Sequence, residues 1–536
     1  MKSVACTVFV FLLVFLPAVE AIGQTVMVDA GLGSVDRVTT FTSIQEAIGS
    51  FASGGVNSGS AAVDVINVAT GAVVDDILIA DAEATGAASD ALVLSEPLTI
   101  QGDGGMATIA LQMSDLGSTG DDCGLFWRQG TDLVLRDLIF IPSSTHSPTD
   151  DALYFRQKGD GGNVTITIEN VVITSATHNA PVTLTGLDRP DLAGLQAVTF
   201  GGGGIYVVSR SEGGTITLNA QDFVVSSFCA GGANDGLTAY MAGPTQDILN
   251  CRVNLGPGCV ISNGPRFGIQ VSYGSHVRAY GADDAPILIA NVEADGVWLN
   301  SDSNSPTQAS VFECGHLIVA GCGAGGIKEQ ETRGRGFIKS VTHTILAYCD
   351  CPGLEFYAAG TLSSTGGVAD AVTIEHVTIH QCGTAPTAAG YDFREAAVAC
   401  PTYNSTYKTN RDLVISDAII SGTNVGVYNS SDGVISIDYS ALVTQNLGGG
   451  HTYSLALPTL AAGTSVINLG AGVISDNPHY TAFGEADFAL ASFLNVENEA
   501  FAGKGSDGSD LSGGADHISG FTPPTTTGLV DWAGYR

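Results

Sequence analysis

Glycine, an apolar residue, a variable residue and usually a second apolar residue recur through this chain. The clearest copies are Gly204-Ile205-Tyr206-Val207, Gly268-Ile269-Gln270-Val271, Gly296-Val297-Trp298-Leu299 and Gly353-Leu354-Glu355-Phe356. Looser copies begin at Gly124, Gly236, Gly326, Gly390 and Gly426, and Ala152-Leu153-Tyr154-Phe155 keeps the pattern with alanine in the first place. From Gly204 onward the glycines of the phrase lie 27 to 37 residues apart. A sustained period of this size marks a chain built of stacked supersecondary units. Each copy reads as a turn glycine followed by a short strand. The first and third residues after glycine face a core; the second and fourth face solvent.

A second phrase alternates with the first: apolar-x-apolar, two polar residues, then more apolar residues. Leu133-Val134-Leu135-Arg136-Asp137-Leu138-Ile139 and Val372-Thr373-Ile374-Glu375-His376-Val377-Thr378-Ile379 are examples. Alternation of period two with a polar interruption predicts two short strands joined by a tight turn. Three short strands per repeat, without helices between them, exclude an alternating βαβ fold and point to an all-β solenoid. Near the start, Ile44, Ala47 and Ile48 share one helical face and Thr42 or Ser43 can cap it, which predicts a short helix over the open end of the stack.

This pattern resembles the right-handed parallel β-helix proteins of the pectate-lyase-like superfamily. The opening helix Ser43-Ile44-Gln45-Glu46-Ala47-Ile48, then Val65-Ile66-Asn67-Val68, then Leu98-Thr99-Ile100-Gln101-Gly102 follow the order of that family's start. Asp476-Asn477-Pro478, Asp487-Phe488-Ala489-Leu490 and Gly505-Ser506-Asp507-Gly508-Ser509-Asp510-Leu511 look like the closing module of exported bacterial β-helix proteins. The resemblance implies a right-handed parallel β-helix solenoid with a short N-terminal capping helix. The expected organisation is a signal peptide over residues 1–21, a cap and first turns over 22–110, repeats over 111–440, a closing end over 441–519 and a tail over 520–536. It leaves the activity open, since the superfamily holds lyases, glycosidases, esterases, adhesins and proteins of no known activity. The polygalacturonase motifs are incomplete here: Ala294-Asp295-Gly296, Gly315-His316-Leu317 and Phe337-Ile338-Lys339 stand in order, with no Asp pair between the first two.

Lys2, the apolar run over residues 8–16 and Val19-Glu20-Ala21 have the layout of a secretory signal, and the run is shorter than the roughly 20 residues a membrane span needs. A secreted protein without a transmembrane segment, either soluble or held at a surface non-covalently, is expected. Twenty Lys and Arg against 54 Asp and Glu give a net charge of -34, which argues against nucleic acid or an anionic membrane as main partner. Cys229, Cys322, Cys349 and Cys382 each follow an apolar strand ending and read as small interior residues stacked on successive turns. Cys251/Cys259 and Cys314/Cys322 are the alternative short bridges.

On the outward positions of the Gly phrase, Phe126, Tyr154, Tyr206, Trp298 and Tyr428 form an aromatic column. The resemblance implies that such a column is a platform for sugar rings, so Tyr154, Tyr206, Trp298, Asn300 and Tyr357 are the expected contacts to an extracellular polysaccharide. A charge cluster of Lys328, Glu355, Asp392 and Arg394 supplies the candidate catalytic groups. Glu355 and Asp392 about 5 Å apart would suit a retaining glycosidase, and Lys328 or Arg394 would suit the proton abstraction of a lyase. The same residues also fit an ordinary solvated charge ladder. The rival expectation is a non-enzymatic surface or matrix protein. No cofactor or metal centre is indicated beyond Asp283-Asp284, Asp302 and the Asp507/Asp510 pair, oxygen ligands of the kind calcium takes.

Overall fold

The structure is a computed structural model. It describes residues 24–474 and 502–507, apart from 33–34, 60–62, 72, 77, 80–93, 112–122, 143–150, 157–161, 175–202, 211–213, 227–234, 243–249, 284, 301–308, 332–334, 359–370, 384–391, 402–411, 424, 432, 447–449, 453–465 and 503. The expected signal peptide, most of the closing motifs and the tail lie outside the described residues.

Strands of period-two sequence fall into two sheets, one of 22 strands and one of 11. Ladders between the described strands are parallel, except between Ala441–Asn446 and Gly450–Thr452. The smaller sheet is the Gly phrase. Its central strands, in order, are Asp151–Arg156, Ile205–Arg210, Leu237–Ala242, Ile269–Ser272, Val297–Asn300, Ile327–Glu331 and Leu354–Ala358, each paired with the next copy along the chain. The pairing holds one register: Tyr154 lies beside Tyr206, Gln270 beside Trp298, Trp298 beside Lys328, and Lys328 beside Glu355. First and third residues after glycine are buried almost everywhere, as in Ile269/Val271, Val297/Leu299 and Leu354/Phe356. At about 1.5–3 kcal/mol for each large apolar side chain, this interior row holds successive copies together.

The phrase glycines stand at the bend that precedes each strand, but not for their torsional freedom. Gly204, Gly268, Gly296, Gly326 and Gly353 lack the left-handed φ that such a turn would use. A Cβ on Gly296 would instead lie 2.3 Å from Val319 Cγ1 and 2.8 Å from the Gly326 carbonyl oxygen. One on Gly268 would lie 2.5 Å from Ile289 and 2.6 Å from the Gly296 oxygen. Close approach of the next copy and of the facing sheet fixes glycine here.

The second phrase builds the larger sheet, and its polar interruption is a corner. Val164–Thr174 pairs with Ile216–Ser226 on both sides of Asn170. Asp137, Asn170, Asp222, His316, His343, His376 and Asp417 take the corner position with φ of 47 to 54°, a region Asp, Asn and His tolerate better than most residues. A second left-handed corner carries Asn263, Asn291, Tyr348 and Gln381 with φ of 48 to 56°, and Gly321 and Gly422 at 66 and 70°. Each repeat therefore supplies a Gly-phrase strand and two segments of the large sheet.

At the N-terminal end, helix Ile44–Phe51 buries Ile44, Ala47, Ile48 and Phe51, with Ser43 accepting the Glu46 N–H at its cap. Asp76 ties this cap to the stack by accepting from Ser43 Oγ and Gln45 N, each at 2.8 Å. Near the other end, Ser506 donates its N–H and hydroxyl to the Asp417 carboxylate at 2.7 and 2.6 Å. Nine described cysteines are free, eight of them buried. Cys322, Cys349 and Cys382 stack in the interior, and each thiol donates to the carbonyl oxygen two residues before it, of Ala320, Ala347 and His380. The Cys251/Cys259 and Cys314/Cys322 bridges are absent, and Cys229 lies outside the described residues.

Candidate functional site

Strong side-chain chemistry on the Gly-phrase sheet gathers on three neighbouring strands, Val297–Asn300, Ile327–Glu331 and Leu354–Ala358. Lys328 Nζ lies 3.4 Å from Glu355 Oε2. Although it occupies an outward position of the sheet, Glu355 is only 3% exposed, and that burial pushes its carboxyl above the ordinary range against the pull of Lys328 and Arg394. Asp295, just before Gly296, is buried too and accepts the Gly325 N–H at 2.7 Å. Burial raises its carboxyl to about 6, with Lys328 opposing and Glu355 adding to the rise. Burial works against the Lys328 charge, but Glu355 and Asp295 outweigh it and hold the ammonium above its usual value. One cation thus serves two carboxyls. Below about pH 6 Asp295 is a carboxylic acid beside a buried ion pair, a perturbed grouping of the kind enriched at functional sites.

Asp392 does not join this cluster as a sheet neighbour of Glu355. Instead of a strand from Gly390, the chain makes a 3-10 turn over Asp392–Glu395 and only then enters the sheet as Ala396–Cys400. Ala399 is therefore the residue paired with Glu355. Arg394 is exposed, lies over the Phe393 ring at 6.0 Å and still acts on Glu355 through its charge. The carboxyls shown around Lys328 are Glu355 and Asp295. Asp295 carried a signal in the sequence, since an Asp precedes the phrase at Asp151, Asp235 and Asp295. In the structure all three accept a backbone N–H from the following copy, from Gly203, Phe267 and Gly325 respectively.

The aromatic column divides in two. Phe126, Tyr154 and Tyr206 stack at 5.2 Å, and Tyr240 and Tyr273 continue the row at 6.0 and 4.6 Å. Phe126 and Tyr154 are buried, at 2% and 4% exposure, so the expected open platform begins only at Tyr206. Tyr240 takes the fourth position of its phrase and joins the row diagonally, beside Val208 rather than Tyr206. The second part surrounds the half-buried Trp298. Its ring stacks on Phe267 at 4.5 Å, its indole N–H donates to Gln330 Oε1 at 3.0 Å, and the Arg266 guanidinium lies over both rings. Arg266 also approaches the buried Asp235 at 3.8 Å. Burial raises the Asp235 carboxyl to about 7 against that cation. Asn300 follows Trp298 at the next outward place and is partly exposed. Tyr357 pairs with Gln330 in the register.

Among the described residues, Glu375, His376 and Asp417 offer three ligand atoms within 4.8 Å of one another. A histidine in the set suits a transition metal better than calcium, and both Asp417 oxygens already accept from Ser506. Asp284, Asp302 and Asp510 lie outside the described residues, while Asp283 is exposed, 2.9 Å from His316 Nδ1. No described helix is long and apolar enough to cross a membrane. No protein family matches the chain, and neither a curated protein nor a solved structure matches it.

Proposed function

We propose that this chain is an exported, right-handed parallel β-helix protein of the pectate-lyase-like kind that binds an extracellular polysaccharide along its Gly-phrase sheet. The observation that carries this reading is the run from Arg266 and Phe267 through Trp298 and Gln330 to Lys328. A guanidinium and a ring stand there in the bend before strand Ile269–Ser272, and an indole, an amide and an ammonium on the next two strands, which pair in one register. Flat rings beside hydrogen-bonding groups offer a pyranose both an apolar face and polar partners. Asn300 lengthens the same face by one residue.

Binding without cleavage is the form favoured by the burial of Glu355, which keeps that carboxylate on Lys328 and away from a bound sugar. Cleavage would draw on Asp295 as proton donor and on Glu355, freed from Lys328, as its partner. Incubation with neutral and acidic glycans separates the forms. Retention without new reducing ends or unsaturated uronate supports a binding and adhesive role; product from any glycan supports an enzyme. Retention of none of them contradicts the proposal.

A further inference from the structure

In a molecule of net charge -34, one outward patch of the large sheet is locally basic. Arg252 pairs with His276 in the register, Arg278 with Glu313, and Glu313 with Ser340. Glu313 is buried and accepts from Arg278 Nε at 2.6 Å, with His276 Nε2 at 3.1 Å and Lys339 Nζ at 3.3 Å. Two cations, Arg278 and Lys339, thus flank one carboxylate, with Arg252 one strand further out beside His276, and the Arg278 and Lys339 side chains remain 53% and 63% exposed. Burial holds His276 below its ordinary value, so it adds no charge near neutrality.

Two features give this patch a built character. Strand Arg335–Ala347 shifts register against Ala309–Ala320: Phe312 faces Ile338 but Glu313 faces Ser340, leaving Lys339 as an extra residue. Such bulges re-aim a side chain and are frequent near sites. The Ile338 N–H donates at 2.9 Å to Glu329, a buried carboxylate reaching inward from the Gly-phrase sheet. An interior acid therefore pins the bulge that projects Lys339 outward. Beside it Tyr280 is 41% exposed, and a Cβ on its neighbour Gly315 would meet the Tyr280 ring at 3.0 Å. Glycine leaves room for an open aromatic next to the cations.

We infer that the face carrying Arg252, Arg278, Tyr280 and Lys339 is a second binding surface, which takes an acid group and adjoining sugar ring of an anionic polysaccharide. Arg278 and Lys339 meet the acid group, Tyr280 carries the ring, and Glu313 holds both cations in place. This rests on the reading that the ligand is a polysaccharide, and it adds a face distinct from the Gly-phrase sheet. At ionic strength near 0.15 M the Debye length is about 8 Å, so the distant acidic residues are screened while contacts within the patch persist.

The test compares dextran, carboxymethyl dextran and dextran sulfate as immobilised probes for the full chain at that ionic strength. Retention on a charged dextran but not on dextran is expected, with the carboxymethyl and sulfate arms naming the acid. The Arg278→Gln/Lys339→Gln double variant and Arg252→Gln should each weaken it at least about tenfold, and Tyr280→Ala somewhat less. Arg252→Gln and Tyr280→Ala leave the Arg278 and Lys339 bonds to Glu313 in place, so with melting temperatures matching the native chain they report on binding even where the double variant loses stability. Failure of both charged dextrans to bind, or binding unchanged in Arg252→Gln and Tyr280→Ala, overturns the inference. Loss of glycan binding in Trp298→Ala alone would leave the Gly-phrase reading standing and remove this one.

Discussion

At the scale of single residues, the recurring glycine is set by contact and not by torsion. Gly296→Ala should lower stability by about 2 kcal/mol, as overpacked cores do, because the new methyl meets Val319 and the Gly326 carbonyl. Gly130→Ala, with nothing within 4 Å of the added carbon, should change it by less than about 0.5 kcal/mol. Denaturant midpoints of the two variants check the contrast. Buried acids give a second residue-level expectation. Asp235 is held at about 7 against an ordinary 3.8. As pH rises between these values the unfolded chain has lost its proton while the folded chain keeps it, so stability falls with rising pH. The full effect is on the order of 4 kcal/mol. Asp235→Asn should flatten the decline in melting temperature over that window. The glycine positions were plain in the sequence, but their reason was not, because contacts to Val319 and Gly326 arise from the neighbouring copy and the facing sheet.

At the scale of elements, the corners hold residues in left-handed backbone conformation. His343 sits at φ 47° between the rings of His316 and His376, at 4.8 and 4.7 Å. His343→Val should cost about 1–2 kcal/mol from left-handed strain, and His343→Asn distinctly less; thermal unfolding of the pair decides it. The polar interruption Glu375-His376, the next corner along, was readable as a turn in sequence, whereas the misplaced copy at Gly390 was not. There the pattern Gly390-Tyr391-Asp392-Phe393 imitates the phrase, but the strand that enters the sheet is Ala396–Cys400. Spacing favours the copy at Gly390, 37 residues after Gly353, whereas the register places Val398 opposite Leu354, 44 residues on. Asp295 stands just before its phrase glycine, outside the outward positions, so the alternation does not single it out beside Lys328. Lys328→Met leaves Glu355 and Asp295 buried without their cation and should cost about 3–5 kcal/mol when both are ionised, with partial recovery as pH falls and these carboxyls, raised further by loss of the ammonium, take up protons. Chemical denaturation at two pH values measures this.

At the scale of the molecule, stacked parallel strands and an acidic exterior follow from the same repeat, which buries alternate residues and leaves the rest to solvent. The chain's net charge of -34 should make its melting temperature rise as sodium chloride is raised from low concentration to about 0.15 M, through screening of self-repulsion. The central claim is that polysaccharide lies on the Gly-phrase sheet across Trp298. Hydrogen–deuterium exchange with and without a bound glycan tests it most directly. The account predicts slowed exchange over residues 266–272, 297–300 and 327–331 in the native protein, lost in Trp298→Ala. A bound glycan that leaves all three segments unchanged would contradict it.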